Sequence, residues 1–219
     1  MKTLIVLSGG MDSTTALAWA KAEGHKIVGA VNFQYGSKHN SKEFFAARKI
    51  ADHYGVELTY CDLDFVRQFF KSDLLKTGGE VPEGHYADES MKRTVVPFRN
   101  GIMLSIAAGF AESIGADAVV LGNHFGDHAI YPDCRKEFIE PMAQAIELGT
   151  YAKIKLLSPF ASMGKHDIAN LGWKLGVPYE LTWSCYKGQE KHCGKCGTCV
   201  ERKEAFQLSG VIDPTEYEA

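Results

Sequence analysis

The sequence predicts an α/β fold: a Rossmann-like, five-stranded parallel sheet with helices on both faces, followed by a small C-terminal zinc-binding lobe. Three observations carry this. Short apolar runs alternate with helix-period segments over residues 1–178, the order that builds parallel sheets from β-α-β units. The first apolar run feeds a glycine pair and then a polar helix start. Four of the six cysteines crowd between Cys185 and Cys199. We therefore divide the chain into an α/β domain, 1–178, and a zinc lobe, 179–219.

Strand one is Lys2 to Leu7, and a helix from Ser13 to about Glu23 ends at Gly24, a suitable left-handed cap. Strand two is Lys26 to Phe33. Asn40 with Glu43 reads as a capping box for a second helix, with Phe44, Ala47, Ala51 and Tyr54 on one face and Gly55 closing it. Strand three is Val56 to Asp62, and a helix follows from about Asp64 to Leu75. The polar stretch Thr77 to Val96 is long for a loop, so it is either functional or a surface insertion. The helix from about Asn100 to Ile114 is apolar nearly all round and should be deeply buried. Strand four is Ala118 to Leu121. Asp133 is expected to cap a short helix through Phe138, and Pro141 then kinks or restarts the helix, which continues to Leu148. Strand five is roughly Lys153 to Leu157, Ser162 caps a helix from Gly164 to Leu175, and a last short helix spans about Thr198 to Leu208.

Length and charge bound the function. At 219 residues and a net charge of -3, the chain has no global basic bias, so no nucleic-acid partner is expected. No apolar run is long enough to span a bilayer, and Ser8 with the glycine pair interrupts the only run that could serve as a signal peptide. A cytoplasmic location follows, in which clustered cysteines argue for metal rather than disulfides.

The stretch Leu4 to Thr15 is the chemical focus. Gly9 and Gly10 are expected to permit positive φ and close approach of a ligand to bare N–H groups. The helix beyond them presents unpaired donors and about half a positive charge, which makes a cradle for phosphates. The lysine-bearing phosphate loop and the dinucleotide fingerprint are both absent. Every other suspicious loop also follows the carboxyl end of a strand: Gln34 to His39, Asn123 to Arg135, and Ser158 to Lys165.

Cys185, Cys193, Cys196 and Cys199 have C-x7-C-x2-C-x2-C spacing. Four thiolates can surround zinc at about 2.3 Å each, leaving no position for water, so the site is read as structural. Its binding energy, on the order of 10–16 kcal/mol in small zinc peptides, would be folding energy for the lobe. An iron–sulfur cluster is the rival occupant. His192, beside Cys193, is read as a neighbour and not a ligand. Lys187, Lys191, Lys195, Arg202 and Lys203 surround the cluster and can offset its negative charge.

Ser8-Gly9-Gly10-Met11-Asp12-Ser13 after an N-terminal strand resembles the pyrophosphate loop of the ATP pyrophosphatases, whose fold is that of the adenine nucleotide alpha hydrolases. Four further signatures extend the likeness: Tyr35-Gly36, Pro97-Phe98-Arg99-Asn100, Tyr131-Pro132-Asp133-Cys134-Arg135, and Thr182-Trp183-Ser184-Cys185. With the cysteine run, and in this order, the set resembles the 7-cyano-7-deazaguanine synthase family over Leu4 to about Arg202.

The resemblance implies an ATP-dependent ligase of queuosine biosynthesis. A 7-carboxy-7-deazaguanine carboxylate attacks the α-phosphate of ATP, ammonia displaces AMP, and the resulting amide is adenylated in turn and loses AMP to give the nitrile. Residues 1–178 then form an ATP pyrophosphatase-type nucleotide-binding domain. Ser8, Gly9, Gly10, Asp12, Ser13 and Thr14 would hold the β and γ phosphates, framed by Leu7, Met11, Thr15, Ala16 and Leu17. Asp12 is the local helper for Mg2+, and backbone near Val31 to Phe33 meets the adenine. Lys38, Arg99 and Lys165 would stabilise charge on the phosphates; a cation at a helix start, as at Lys165, opposes the dipole and favours function. Asp133 has the acceptor pair for a guanine-like edge, and Arg135 could hold the substrate carboxylate or a phosphate bidentately. The family suggests a homodimer. Lys38 departs from the family's usual arginine, and His128 stands where an aromatic is common after Asp127. Two other readings stay open: a tRNA-thiolating enzyme on the same loop, with Cys134 as its cysteine, and a non-catalytic nucleotide-binding zinc module.

Overall fold

The computed structural model describes residues 1–124 and 130–218. Five parallel strands lie in the order β3-β2-β1-β4-β5: β1 (Lys2–Val6), β2 (Lys26–Gln34), β3 (Leu58–Asp62), β4 (Ala118–Val120) and β5 (Lys155–Leu157). Seven α-helices accompany them among the described residues: α1 (Met11–Ala22), α2 (Asn40–Tyr54), α3 (Asp64–Phe69), α4 (Arg99–Ser113), α5 (Lys136–Gly149), α6 (Lys165–Lys174) and α7 (Gly197–Ser209). None is long and apolar enough to cross a membrane.

Strand alternation sorts the core into two layers. Leu4, Val31, Phe33 and Val119 face Leu104, Ala107, Ala108 and Ala111 of α4 and Ile139 and Ile146 of α5. Their sequence neighbours Ile5, Ala30 and Val120 face the opposite way, onto Ala16, Leu17 and Ala20 of α1, Ala47, Ile50 and Ala51 of α2, and Ile168 of α6. The chain leaves β1 towards β2 on one side and later returns to β4 on the other. That reversal of strand order opens a crevice at the carboxyl ends.

Several expected details differ. The capping box at α2 does not form: Asn40 lies inside the helix, and its Oδ1 accepts from Ser37 N at 2.6 Å and Tyr35 N at 3.2 Å, closing the preceding turn. The buried face of α2 is Ala46, Ala47, Ile50 and Ala51, while Phe44 turns to the sheet edge against Tyr60. Helix α3 stops at Phe69, six residues short of Leu75. Beyond it the Lys38 ammonium gathers the carbonyls of Asp73, Leu75 and Gly79 at 2.5, 2.6 and 2.8 Å, so those groups need no helical ladder. Leu74 and Leu75 then drop into the core.

The stretch 77–96 is packed, with a 3-10 turn at Glu89–Thr94 and buried Val81, Tyr86, Met91 and Val96. Helix α4 buries one face only; Ile102, Met103, Ile106 and Phe110 are partly covered, because it forms an outer layer on the sheet. Helix α6 is capped by its own Asp167, whose Oδ2 accepts from Gly164 N at 3.0 Å, and not by Ser162.

Helix α7 begins at the last two cysteines, with Cys196 at its N-cap and Cys199 in its first turn, and packs on α6. Its Arg202 is fully buried, not a surface charge near the cysteines as its basic neighbours suggest. The guanidinium donates to Thr182 Oγ1 at 2.8 Å, Ser184 Oγ at 3.1 Å, Tyr179 O at 3.2 Å and Asp213 Oδ1 at 3.1 Å. One planar fork thus ties the segment before the cysteines to the C-terminal tail. Arg202→Ala leaves those acceptors buried and unpaired and is expected to cost about 3–5 kcal/mol, read as a lower urea midpoint. Arg202→Lys should restore only part of it.

Candidate active site

The crevice is lined from β1, β2, the start of α1 and the end of β4. Gly9 has φ +93°, and a Cβ there would meet Glu43 O at 2.4 Å and Ala47 N at 2.8 Å. Gly10 has φ -79°, so only the first glycine of the pair needs the left-handed region. No side chain caps α1, and its first N–H groups open on the crevice. Ser8 Oγ accepts from Gly10 N at 3.2 Å and lies 3.0 Å from Ser13 Oγ.

Of the predicted loop residues, Leu7, Ser8, Gly10, Met11, Asp12 and Ser13 line the crevice. Thr14, Thr15, Ala16 and Leu17 are buried behind it. Thr14 Oγ1 donates back to Gly10 O at 2.7 Å and Thr15 Oγ1 to Met11 O at 2.8 Å, while Ser13 Oγ, which reaches Gly10 O at 3.2 Å, also faces the crevice. Gly9 acts by letting α2 in. Val31, Asn32 and Phe33 line the crevice as expected, and Asn32 Nδ2 donates to Leu7 O at 2.9 Å, joining the ends of β1 and β2.

Lys165 reaches the loop. Its Nζ lies 3.0 Å from Asp12 Oδ2, 2.8 Å from Glu201 Oε2 and 3.3 Å from His124 Nε2. Two carboxylates and a fully buried imidazole fix this ammonium against the unfavourable helix-start dipole. Asp12 Oδ1 is buried with no hydrogen-bond partner among the described residues. Gly122 brings β4 close: a Cβ there would sit 2.8 Å from Asp12 O.

Arg99 forms the opposite wall. Phe98 adopts φ +54°, a conformation costing a bulky residue about 1–2 kcal/mol, and its ring lies over Gly101, where a Cβ would be 2.5 Å away. Arg99 follows as the first residue of α4. Its Nη1 donates to Tyr35 Oη at 3.1 Å, and the guanidinium lies 5.5 Å from the Tyr35 ring and 5.9 Å from the Tyr131 ring. Tyr131 and Tyr186 hydroxyls are 3.3 Å apart. Burial pushes Tyr35 up to about 12 and keeps it a neutral donor.

Three predicted residues fall elsewhere. Lys38 is turned away, its three donors spent on loop carbonyls. Asp133 does not cap α5; its Oδ2 accepts from Asn100 N at 2.7 Å, so it caps α4 from 33 positions further along the sequence. The reason is steric order: Pro132–Cys134 forms a 3-10 turn packed under α4, and α5 begins only at Lys136. Arg135 is exposed at the start of α5, outside the residues that line the crevice. Cys134 lines it, with Sγ accepting from Asn100 Nδ2 at 3.0 Å. The expectation about His128 after Asp127 lies outside the described residues.

Sequence reasoning missed Glu201, His124, His39 and Glu43. Glu201 has no local signal, since it pairs with a lysine 36 positions earlier. His39 and Glu43 had one: an i,i+4 ionisable pair just beyond a strand's carboxyl end, of which Glu43 was instead paired with Asn40 as helix capping. His39 Nε2 lies 3.4 Å from Glu43 Oε2, and both residues line the crevice.

The four predicted cysteines converge, each buried, with all sulfurs within 4.8 Å of one another. A tetrahedral site with 2.3 Å metal–sulfur bonds spaces its sulfurs about 3.8 Å apart; Cys193 and Cys199 Sγ are 4.0 Å apart. Backbone N–H groups of Cys193, Lys195 and Cys196 point at sulfurs at 3.3–3.4 Å, a donor set that favours thiolates. The donor set fits a metal. His192 is not part of it: its Nε2 accepts from Ser184 N at 3.0 Å and its ring packs on Trp183.

This arrangement is that of the pyrophosphate-loop ATP-using fold. Solved structures similar to it include NMN synthetase from Francisella tularensis (TM-score 0.54, 15% identity, covering 96% of this chain and 77% of that one). Another is the U34-tRNA thiolase NcsA from Methanococcus maripaludis with its [4Fe-4S] cluster (TM-score 0.52, 17% identity, covering 97% and 72%). These show the fold. The family is given by sequence: the model for queuosine biosynthesis protein QueC matches residues 2–210, and the chain belongs to that family. It is 55% identical over 216 residues to 7-cyano-7-deazaguanine synthase of Porphyromonas gingivalis, covering 99% of this chain and 97% of that one. It is 50% identical over 218 residues to the enzyme of the same name from Caldicellulosiruptor bescii, covering 100% and 98%.

The His39–Glu43 pair gives the fold a pH signature. Burial pushes the Glu43 carboxyl up to about 8, against the pull of Arg99. Burial, then Arg99, pushes His39 down to about 3. Unfolded values are about 4.3 and 6.5. Folded Glu43 keeps a proton that the unfolded chain has released, so its contribution falls as pH rises from about 4.3 to 8. His39 lacks a proton that the unfolded chain binds, so its contribution is lost as pH falls from about 6.5 to 3. The slopes oppose each other below 6.5, and above it only that of Glu43 remains. The urea midpoint should therefore drop between pH 6.5 and 8, and Glu43→Gln should flatten that drop and raise the midpoint at pH 8. Identical profiles for the two proteins would contradict the burial of an ionisable carboxyl here.

Proposed function

We propose that this chain converts 7-carboxy-7-deazaguanine and ammonia to 7-cyano-7-deazaguanine with ATP, through adenylated acid and adenylated amide intermediates. The observation that carries the site assignment is the opposed placement of two cationic groups across one crevice. Lys165 stands at the uncapped start of α1 and Arg99 stands in the tyrosine wall.

In this reading the β and γ phosphates lie on the N–H groups of α1 with the Ser8 and Ser13 hydroxyls, and Lys165 neutralises charge as pyrophosphate leaves. The orphaned Asp12 Oδ1 would meet a Mg2+ ion carried by the nucleotide. Adenine lies along Val31 to Phe33. Arg99 takes the substrate carboxylate role first considered for Arg135, because its guanidinium is in the crevice. Asp133 serves the base only indirectly, by holding the α4 start from which Arg99 projects. Lys38 closes the adjacent loop. The four cysteines hold one structural zinc, within a lobe taken as 179–219 beside the domain 1–178. Since Glu201 lies two residues past Cys199 on α7, the metal also seats the carboxylate that holds Lys165. The reading includes a homodimer, which the family suggests, and a cytoplasmic setting.

Purified protein incubated with Mg-ATP, ammonium and the acid should give the nitrile, two AMP and two pyrophosphate per product by mass spectrometry. Lys165→Ala and Arg99→Lys should each lower kcat about 10²–10³-fold. Formation of ADP, or ATP consumption indifferent to the acid, would overturn the reading.

Elemental analysis should find one zinc per chain in a colourless protein. Its removal by a chelator should unfold the lobe and abolish activity, and visible absorbance from an iron–sulfur chromophore would overturn the zinc assignment.

A further inference from the structure

The reaction proposed above has to dispose of protons from nitrogen. Ammonia loses one as it becomes the amide, and the adenylated amide loses two as it becomes the nitrile. Neither Lys165 nor Arg99 can take them, since both are held cationic. One ionisable pair in the crevice has so far been given no chemical part.

Glu43 lies on the first turn of α2 and His39 just before it, at the N-cap, beyond the carboxyl end of β2. Because Gly9 has no Cβ, this turn presses against the phosphate loop. The Glu43 carboxyl is thereby set beside the loop, within the electrostatic reach of Arg99 and Tyr35. His39 is 1% exposed. Its Nδ1 faces the Tyr186 carbonyl at 3.3 Å and donates to it, which leaves the Nε2 lone pair directed at the Glu43 carboxyl. That Nε2 is buried and has no hydrogen-bond partner among the described residues. The imidazole is therefore set to accept a hydrogen bond from a protonated Glu43 carboxyl.

On the reading given above, we propose that Glu43 is the general base that removes the N–H protons, with His39 as the residue that orients its carboxyl. In the final step the Glu43 carboxylate takes the last N–H proton of the adenylated amide. The N–H bonding pair becomes the second C–N π bond. The C–O bond to AMP breaks, and its electron pair leaves on the AMP oxygen. The proton on Glu43 is shared with His39 Nε2 and returns to solvent between turnovers. The groups facing Glu43 are His39 from α2, Tyr35 beyond β2 and Arg99 from α4. A carboxyl pushed up to about 8 in that setting is a stronger base than an ordinary carboxylate and is still partly ionised near neutral pH.

The test uses the full-length, metal-loaded protein with the amide and Mg-ATP, so that only the second half-reaction is read. For the wild type, kcat should rise with pH to an inflection near 8. Glu43→Gln, which preserves shape, should lower kcat about 10²–10⁴-fold, lose the inflection, and leave the ATP KM within about threefold. His39→Asn should move the inflection to lower pH with a smaller loss. A wild-type profile flat from pH 6.5 to 9 overturns the assignment by itself, as does a Glu43→Gln enzyme with an unchanged profile; the first needs no variant to fold. A wild type that makes no nitrile from the amide at any pH overturns the proposed function, and the Glu43 assignment with it.

Discussion

The site depends on two places where a single methyl group would not fit. A Cβ on Gly9 would collide with the backbone of α2, and one on Gly122 would collide with the backbone of α1. Both contacts are backbone against backbone, so no rotamer change relieves them. Through Gly9, the first turn of α2 reaches the phosphate loop and brings His39 and Glu43. Through Gly122, the end of β4 reaches the loop from the other side, and the neighbouring His124 meets Lys165. The crevice is thus made by close approach of elements, and its charged groups are set by backbone positions.

The charges are arranged in two sets. On the loop side, Asp12, Glu201 and His124 surround Lys165, and the ammonium stays fixed where the dipole of α6 opposes it. On the far side, neutral tyrosine hydroxyls and ring faces surround Arg99. A cation held by carboxylates can exchange them for phosphate oxygens when nucleotide arrives. A cation held by aromatic faces keeps its fork available for a carboxylate. The difference in partners suits the two walls to different anions.

The strands, the loops at their carboxyl ends and the cysteine centre were legible because each is written locally. Alternation of Leu4, Ile5 and Val6, the turn at Gly9, and C-x2-C spacing need no knowledge of the rest of the chain. The misreadings share one physical cause: the side chain found a partner other than the one its local pattern names. Asn40 and Glu43 have capping-box spacing, but Asn40 closes the turn at Tyr35 and Ser37, and Glu43 faces the crevice. Lys38 sits in a suggestive motif, but its donors are taken by a loop 35 to 41 positions away. Glu201 looks like one more surface carboxylate on a helix until α6 and α7 are packed together.

Asp133 has a consequence for how the chain is built. The first turn of α4 receives its cap from a residue that leaves the ribosome 33 amino acids later. Until then the Asn100 amide lacks its acceptor, and Phe98 has little to hold it in an unfavourable bend. During synthesis the first turn of α4 therefore stays incomplete until the turn at Pro132 docks beneath it. The arginine wall thus waits for residue 133, whereas the contacts of the phosphate loop with β2 and α2 are complete within the first fifty-odd residues, and those with Lys165, itself held by Glu201, come later still.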